Sequence, residues 1–594
     1  MFYVIVVVTH IGAFATSDVC AVDPAVFEAQ QRRVAVVQRI APTVVAIFAR
    51  GAAGSGSGVL ISADGFALTN FHVTSSVGAF MKCGLNDGVL HDAVIVGIDP
   101  TGDVALIKLL GRDDFPHAKL GDSDKLQVGN WAYAMGNPFM LATNFQPTVT
   151  FGIISGLHRY QYPTGTFLEY ADCIQVDTSI NPGNSGGPLF NEAGELIGIN
   201  GRGSFEKRGR VNSGAGYAIS INQIKHFMDC LRGGRIVDHA TLGATVTENV
   251  EGLVVVDNIL EQSEVYRRGL RVDDEIVSFA GRSIRSVNQF KNILAIYPKY
   301  RKLPLVYRNE GKKEKIYVRL RGLHRSSEMT PQRRRSRTIP KPEDPDRKKP
   351  SNKNPNGKDP DRKQPNRFFP AASNLPENHK HLYVKKEGFA NYYFNTLEQQ
   401  RTLTALKELG DFSQRIGIWS FSGTIQAGYK FEFTLADKGL GLEIGDDVYF
   451  QPLDGSNFTD EPERSGGLLL ALYHLKLFLT RGDAVFTEFY YLGSEPLDGH
   501  GEKVDVIVTL LTGVESRWYF SRKRKMFVGF DTRLESDIDE CEIRFAGSQT
   551  FDGRKLPQQL IVRCANRKFA SFDLETVNLA VAPPKSSRTD RNDQ

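Results

Sequence analysis

The stretch SINPGNSGGPLF, Ser179 to Phe190, decides how the first half of this chain is interpreted. Ser185 stands between glycines, and Pro188 follows shortly after it. In an ordinary glycine-rich turn this serine would need no special partners. A nucleophilic serine, in contrast, needs a base that takes its proton and a carboxylate that orients the base. The interpretation therefore depends on which histidines and acids the chain offers, and where.

The pattern Gly183-x-Ser185-x-Gly187 is also that of the nucleophile elbow of α/β-hydrolases. Such an elbow leads straight into a helix, and its acid and histidine follow the serine in the sequence. Here PLFNEAGELIGIN, residues 188–200, has the pattern of a strand, a turn and a strand. The best partners also precede the serine. We therefore interpret Ser185 as a nucleophile on a tight loop between strands.

The histidines ahead of Ser185 are His10, His72, His91, His117 and His158. His72 lies in FALTNFHVTSS, where a strand runs into a polar turn and can aim an imidazole into a cleft. Asp103 opens the apolar run VALIKL, a position from which a carboxylate can fix the tautomer of an imidazole. Judged alone, His72 is more often a surface residue and Asp103 a strand cap. Their order ahead of Ser185 is what makes them the predicted base and acid.

Short strand-like runs separated by glycine turns surround these residues, which predicts an all-β sandwich or barrel. Residues 25–40 have the pattern of an amphipathic helix, and NQIKHFMDCLR near Ile224 closes the region with a second one. We place this mainly β domain at residues 25–232.

TNFHV, GDVALIKL and NPGNSGGPL, in that order, resemble trypsin-like serine proteases. More closely, they resemble the HtrA/DegP family of exported quality-control proteases. GSGSGVLISADGFALTNFHV, VGIDPTGDVALIKL, GNPF, TVTFGIISGL and GYAISI extend the resemblance almost continuously from Thr43 to Ile221. It implies a chymotrypsin-like double β-barrel with the active site between the barrels, and it implies no cofactor and no metal ion.

The resemblance also implies roles for single residues. Ser185 attacks the scissile carbonyl, His72 carries the proton, and Asp103 holds His72. The backbone N–H groups of Gly183 and Ser185 form the oxyanion hole. Homotrimers or larger assemblies, and unfolded or misfolded protein substrates, are the partners that the family implies.

Substrate preference can be predicted in part. Trypsins that cleave after Lys or Arg carry an acid six residues before the nucleophile, and this chain has Ser179 there. The predicted pocket wall is partly aliphatic and consists of Ile197, Gly198, Ile199 and Asn200. We expect cleavage after small or medium apolar residues, which unfolded chains expose.

A second unit, residues 236–323, resembles a PDZ domain. In EVYRRGLRVDDEIVSFAGRSIRSVNQFKNIL the turn at Gly269 and the residues from Asp274 onwards fit, whereas Asp273 stands where glycine is usual. The resemblance implies a carboxylate-binding loop that captures peptide C-termini, and the peptide adds as a β-strand. That loop would be Thr241, Leu242, Gly243 and Ala244. The alternative is a domain that packs on the protease without binding peptides.

The length of the chain predicts several domains, and its nearly balanced charge indicates no particular charged partner. The chain has 594 residues, with 73 Lys and Arg against 68 Asp and Glu. An apolar run with small residues behind it predicts a signal peptide at residues 1–21, although no Lys or Arg lies near Met1. The alternatives are that the start of the sequence is misassigned or that these residues form a buried N-terminal strand. We expect a soluble exported protein, periplasmic or otherwise extracytoplasmic, that binds no nucleic acid.

Residues 324–380 are rich in Pro, Lys, Arg, Asp and Asn, and DPDRK at Asp344 recurs at Asp359. Such a segment buries too little apolar surface to fold, so we predict a disordered basic Pro-rich linker. Its basic bias could also contact anionic polymers or membrane surfaces. Residues 582–594 are predicted as a disordered tail.

The last unit, residues 382–581, is predicted as mostly antiparallel sheet with one or two helices. YFSRKRKMFVGFDTRLE and FAGSQTFDGRKLPQQLIVR loosely resemble LolA/RseB-like lipoprotein-binding periplasmic proteins. The resemblance implies a lipoprotein or apolar ligand in the concave face of a curved sheet. SRWYFSRKRKMFVGF mixes aromatic and basic residues, which we interpret as a strand with a basic outer face.

Cys541 and Cys564 are equidistant from the turn signal Asp552-Gly553, so a hairpin would place them opposite each other. A cross-strand disulfide and two unpaired buried thiols both remain open.

The sequence predicts an exported serine endopeptidase for unfolded or damaged envelope proteins, regulated by its PDZ unit. The alternatives are a chaperone or scaffold, and a lipoprotein-stress sensor, in which binding by the later units dominates.

Overall fold

A computed structural model describes residues 23–48, 55–137, 144–161, 168–181, 183–205, 212–324, 377–426, 428–454 and 458–581. The predicted signal peptide 1–21, the tail 582–594 and most of the predicted linker 324–380 lie outside these residues.

The first domain opens with the helix α1 (Pro24–Ile40), as the sequence predicts. Six strands follow: β1 (Val44–Phe48), β2 (Ser55–Leu60), β3 (Phe66–Thr69), β4 (Phe80–Gly84), β5 (Leu90–Asp99) and β6 (Val104–Leu109). They close a barrel in the order β1-β2-β3-β6-β5-β4. The short helix α2 (Phe71–Val77) leaves the barrel directly after β3.

A second barrel follows at once. Its strands are β7 (Trp131–Gly136), β8 (Thr148–Gln161), β9 (Tyr170–Val176), β10 (Pro188–Asn191), β11 (Leu196–Phe205) and β12 (Asn212–Ser220). They close in the order β10-β11-β12-β9-β8-β7. The helix α3 (Ile221–Arg232) begins at Ser220, whose hydroxyl accepts a hydrogen bond from Gln223 N. The mainly β fold with a chymotrypsin-like double barrel is thus confirmed.

The next unit is a small sheet with two helices. Its elements are β13 (Ala240–Thr241), β14 (Ala244–Glu248), β15 (Val254–Ile259), α4 (Glu264–Arg267), β16 (Glu275–Phe279), β17 (Arg282–Ser283), α5 (Val287–Ala295), β18 (Lys302–Asn309), β19 (Lys312–Arg319) and β20 (Arg321–Gly322). The main path of the sheet is β14-β15-β16-β18-β19, so β14 is an edge strand. The helix α5 packs over β14 on one side and against β8 and β9 of the second barrel on the other.

The C-terminal unit is built on one antiparallel sheet of eleven strands. Its helices are α6 (Tyr392–Leu403) and α7 (Leu468–Arg481). Its strands are β21 (Trp419–Ile425), β22 (Lys430–Leu435), β23 (Gly439–Ile444), β24 (Asp447–Pro452), β25 (Glu488–Pro496), β26 (Lys503–Leu511), β27 (Val514–Ser521), β28 (Met526–Arg533), β29 (Cys541–Ala546), β30 (Gln549–Phe551), β31 (Arg554–Leu556), β32 (Gln559–Cys564) and β33 (Arg567–Leu579). The strand order is β24-β23-β22-β21-β33-β32-β29-β28-β27-β26-β25, with β30 and β31 as a separate hairpin.

The helix α7 packs on this sheet and supplies much of the core of the C-terminal unit. Its leucines Leu468, Leu469 and Leu472 are buried, and Phe478 stacks on Trp518 at 4.2 Å between ring centroids. The chain's own helix thus covers the apolar side of the sheet around Trp518. A lipoprotein or other apolar ligand remains a prediction.

The segment 377–395, here called the strap, joins the C-terminal unit to the first barrel. Ala390 and Phe394 are part of the same apolar core as the barrels, and Asn391 Nδ2 donates to Ile95 O at 2.9 Å. Residues Glu377–Leu382 form a 3-10 helix, so the predicted linker boundary at 380 is too late. The C-terminal unit is thus packed directly on the barrels.

Buried ion pairs connect the second unit to the C-terminal sheet. Arg319 is 2% exposed and donates to Glu540 at 2.9 Å and to Asp531 at 2.8 Å. Lys302 pairs with Glu542 at 2.5 Å. Because unpairing one partner of a buried ion pair is strongly destabilising, these contacts fix the units relative to each other.

Cys541 and Cys564 lie at the ends of neighbouring strands, next to the paired residues Glu542 and Arg563. The predicted register is therefore right, but both cysteines are buried free thiols and the disulfide is not formed. Burial raises the pKa of both thiols, that of Cys564 to about 12.

Among the described helices, none is long and apolar enough to cross a membrane.

Candidate active site

Three separate turns bring the predicted catalytic residues to the junction of the barrels. His72 lies in the first turn of α2, Asp103 lies in the turn between β5 and β6, and Ser185 lies in the loop before β10. Asp103 has a positive φ of 56°, which is uncommon for a residue other than glycine. Its carbonyl accepts hydrogen bonds from Asn70 Nδ2 at 2.9 Å and from Phe71 N at 3.2 Å. These bonds hold the turn against the start of α2.

The imidazole of His72 is oriented by the carboxylate of Asp103. Nδ1 of His72 lies 2.8 Å from Asp103 Oδ2, and the backbone N–H of His72 donates to Asp103 Oδ1 at 3.0 Å. Asp103 is 1% exposed, whereas the side chain of His72 is 48% exposed. Burial acts to lower the pKa of His72, but the charge of Asp103 and its hydrogen bond outweigh burial and raise it. The exposed edge of the ring is left for a reacting group.

The loop that carries Ser185 is tied to the first barrel through Ser57. Ser57 Oγ donates to Gly183 O at 2.6 Å, and Ser57 N donates to Ser185 O at 3.0 Å. Gly186 has a φ of 83°, and a Cβ there would lie 2.3 Å from Ser57 O. A side chain at this position would push the two barrels apart at the serine, so the glycine is required by the close approach.

The geometry around Ser185 leaves two backbone donors unused. Gly183 has a φ of 104°, and no described residue accepts a hydrogen bond from the N–H of Gly183 or of Ser185. The hydroxyl of Ser185 donates to Gly201 O at 3.4 Å. Both N–H groups are therefore available to an added acceptor, and their role as an oxyanion hole stays a prediction.

The predicted pocket wall needs correction. Ile197 and Ile199 are 0% exposed and belong to the barrel cores, so their side chains do not line a cleft. Asn200 is buried as well and braces the serine loop, because its backbone N–H donates to Gly187 O at 2.8 Å and its carbonyl accepts from Gly186 N at 2.8 Å. Gly198 is buried in the same strand, β11. Ser179 is exposed, and its place in a substrate pocket stays a prediction.

The other described histidines ahead of Ser185 have different partners. His91 contacts Leu110 O, His117 contacts Phe115 O, and His158 pairs with Asp172 at 2.6 Å. His10 lies outside the described residues. Of these histidines, His72 is the one whose ring contacts Asp103.

The predicted carboxylate loop of the second unit leads into the edge strand β14. Leu242 is buried, Gly243 has a φ of 80°, and Gly243 O accepts from Leu260 N at 2.9 Å. Thr241 pairs with Arg321 in the short strand before it, and Ala244 begins β14.

Sequence reasoning missed the residues that position the site from a distance, above all Ser57 and Tyr170. The hydroxyl of Tyr170 donates to Asp103 Oδ2 at 2.7 Å. A run of small residues around Ser57 is a weak signal of close packing, and nothing in the sequence marks Tyr170.

Two closed barrels, a His–Asp pair and a serine beside free backbone donors define a trypsin-like serine peptidase domain. Residues 56–199 match the profile of the family described as trypsin-like peptidase domain. The same part of the chain is similar to several HtrA- or DegP-like proteases.

The chain is 36% identical over 275 residues to a "Probable periplasmic serine endoprotease DegP-like" of Chlamydia trachomatis, covering 44% of this chain and 53% of that protein. A protein of the same description from Marinomonas sp. is 35% identical over 276 residues, covering 45% of this chain and 56% of the relative. A solved structure described as "HtrA-type protease AlgW with tripeptide" is 31% identical with a TM-score of 0.41, covering 48% of this chain and 96% of that one. The chain spans about half the length of the curated relatives it matches.

Proposed function

We propose that this protein is a serine endopeptidase that hydrolyses unfolded or damaged proteins outside the cytoplasm. The observation that carries the proposal is the 2.8 Å contact between His72 and Asp103 at the barrel junction that also holds Ser185. The description of the relatives as periplasmic serine endoproteases supports both the activity and the location.

The proposed mechanism uses each residue for one task. The Ser185 hydroxyl donates to Gly201 O and not to His72, so the mechanism requires it to turn toward His72, whose Nε2 takes the proton as Oγ attacks the carbonyl carbon. The N–H groups of Gly183 and Ser185 bind the oxyanion, and Asp103 stabilises the imidazolium. His72 then returns the proton to the leaving amine, and a water activated by His72 hydrolyses the acyl-enzyme.

We propose that cleavage follows small or medium apolar residues. Support comes from Ser179, which is exposed and uncharged where an acid would select Lys or Arg. The side chains of Ile197 and Ile199 no longer support this preference, because both are core residues.

The test is degradation of casein by the purified mature chain, with the new termini identified by mass spectrometry. We expect termini after Val, Ala, Ile or Leu. Termini after Lys or Arg would contradict the proposed preference for apolar residues. The absence of any cleavage would contradict the proposed endopeptidase activity.

We further propose that the second unit is a PDZ domain that binds peptide C-termini along β14 and thereby regulates cleavage. Support comes from the position of β14 at the sheet edge and from Gly243 in the loop before it. A peptide with an apolar C-terminus, titrated into the casein assay, should change the rate. The same peptide with an amidated C-terminus serves as the control, because it offers no carboxylate.

We expect the acid limb of the pH profile to lie above pH 6.5, the ordinary pKa of histidine. His72 must be neutral to act as base, and its pKa is raised by the adjacent charge of Asp103 against the effect of burial. Activity therefore falls as the pH drops through this raised pKa. The measurement is kcat/KM for a peptide substrate across the neutral range, with the melting temperature followed over the same range as a control. An acid limb below pH 6.5 would contradict the prediction.

We propose that an aromatic pair on the second barrel is part of a subunit interface in a homo-oligomer. Trp131 and Phe151 are 46% and 41% exposed and stack at 4.7 Å between centroids, and Arg33 of α1 lies over Phe151. Exposed apolar patches of this kind mark protein–protein contacts.

The double variant Trp131→Glu/Phe151→Glu should shift the protein to monomers in light scattering coupled to size-exclusion chromatography. Val89→Glu, at a 48% exposed apolar position of the first barrel, is the matched control. A monomeric wild type, or an unchanged assembly of the double variant, would overturn the assignment.

A further inference from the structure

Tyr170 stands at the first position of β9, directly across from the turn that carries Asp103. Its side chain is 5% exposed. The residue before it, Glu169, donates its backbone N–H to Thr101 O at 2.9 Å, two residues from Asp103. The start of β9 in the second barrel is thus fixed to the acid-bearing turn of the first barrel.

The phenol of Tyr170 reaches the same carboxylate oxygen as His72. Its hydroxyl donates to Asp103 Oδ2 at 2.7 Å, and Nδ1 of His72 lies 2.8 Å from that oxygen. Oδ1 accepts the backbone N–H of His72 at 3.0 Å. Both oxygens of the Asp103 carboxylate, which is 1% exposed, therefore have donors, and rotation of the carboxylate would break these bonds.

The ring of Tyr170 also contacts the strand behind Ser185. A Cβ on Gly201 would lie 2.7 Å from the ring, so the ring packs against a bare backbone. Gly201 O is the acceptor of the Ser185 hydroxyl at 3.4 Å. One side chain thus touches the acid through its hydroxyl and the backbone beside the nucleophile through its ring.

We propose that Tyr170 is a positioning residue that fixes the Asp103 carboxylate in the orientation in which it holds His72. The role of the residue rests on the proposed peptidase function, whereas the hydrogen bond and its effect on His72 do not. Tyr170 itself touches neither substrate nor the reacting atoms, and acts through Asp103.

The proposed role predicts a measurable change in the pKa of His72. A hydroxyl that donates to a carboxylate places the positive end of its dipole against the negative charge and so offsets part of it. Asp103 is the charged group that raises the pKa of His72 among the described residues. Without the hydroxyl, that charge acts on His72 with less compensation, so the pKa of His72 should rise further. A residue that merely fills space would not produce this shift.

The experiment compares Tyr170→Phe with the parent chain. The substitution removes the hydroxyl and keeps the ring on Gly201. In the full chain we expect kcat/KM to fall about tenfold, because the Asp103 carboxylate loses one of the hydrogen bonds that fix its orientation toward His72. Hydrogen bonds to charged groups are among the stronger ones. The acid limb of the pH profile should move to higher pH.

A second readout does not require activity. The His72 ring is titrated by NMR in the full chain labelled at histidine, in a Ser185→Ala background, with and without Tyr170→Phe. His72→Gln assigns the resonance. We expect the same upward shift of the His72 pKa.

The matched control is Tyr160→Phe. Tyr160 lies on the neighbouring strand β8, and its hydroxyl donates to Glu169, so this variant loosens the start of β9 without touching Asp103. We expect it to leave the His72 titration where it is. Equal shifts in both tyrosine variants, or no shift in Tyr170→Phe, would overturn the proposal.

The two failures can be told apart. A wild type that cleaves nothing contradicts the peptidase function, while the NMR titration still decides the role of Tyr170. A cleaving wild type with an unshifted Tyr170→Phe profile contradicts the positioning role alone.

Discussion

Ser185→Ala should lower kcat for peptide hydrolysis by about 10⁶, which removes measurable proteolysis. The variant loses the oxygen that forms the acyl-enzyme, and the binding groups that remain cannot replace a covalent route. The loop should persist, because Ser57 holds it through Gly183 O and Ser185 O, which are backbone atoms. The measurement is the rate of cleavage of casein and of a peptide substrate at matched enzyme concentration.

The control for this substitution is Ser536→Ala, the same chemical change at an exposed serine of the C-terminal unit. We expect it to leave activity nearly unchanged, because surface substitutions away from a site have small effects. A rate of Ser185→Ala comparable to that of Ser536→Ala would show that another residue is the nucleophile.

Asp103→Asn should lower kcat by about 10⁴. The amide is nearly the same size as the carboxylate, so the buried turn stays filled. Its NH₂ group, however, favours the tautomer of His72 whose proton sits on the wrong nitrogen, and the imidazolium loses its counter-charge. The raised pKa of His72 should fall as well, since the charge of Asp103 is what opposes burial.

Asp92→Asn makes the same chemical change at a partly exposed ion pair, in which Asp92 lies 2.8 Å from Lys82. It should cost little activity, because exposed ion pairs contribute little. Equal losses in the two variants would show that Asp103 acts through stability and not through His72. Melting temperatures of both variants separate these outcomes.

The strand-rich fold could be predicted from short local patterns, because strand-like runs between glycines indicate a sandwich or barrel. The double barrel and the roles of His72, Asp103 and Ser185 followed from the resemblance to a known family, which rests on the order of these residues and the motifs around them. Gly183 and Gly186 adopt positive φ angles, which explains why the loop has glycine at these two positions.

The supports of the site could not be predicted, because they are contacts between distant parts of the chain. Ser57 reaches Gly183 across 126 positions, and Tyr170 reaches Asp103 across 67. A serine or a tyrosine in a strand has no local property that marks such a partner. Ile197 and Ile199 were wrongly assigned to the pocket wall, because an aliphatic pattern does not distinguish a pocket wall from a core.

The strap was overlooked because its sequence is polar and aromatic and directly follows the Pro-rich segment. Its contribution lies in a few anchors, Ala390 and Phe394 in the core and Asn391 at Ile95 O. Composition alone therefore placed the linker boundary too late.

The shared core has a consequence for cooperativity. Since side chains of the strap complete the packing of the first barrel, the barrels and the C-terminal unit should unfold together. We expect the full chain to melt in one calorimetric transition, whereas fragment 1–324 alone would expose the surface that the strap covers. The cooperative folding unit would then be larger than the proposed peptidase domain.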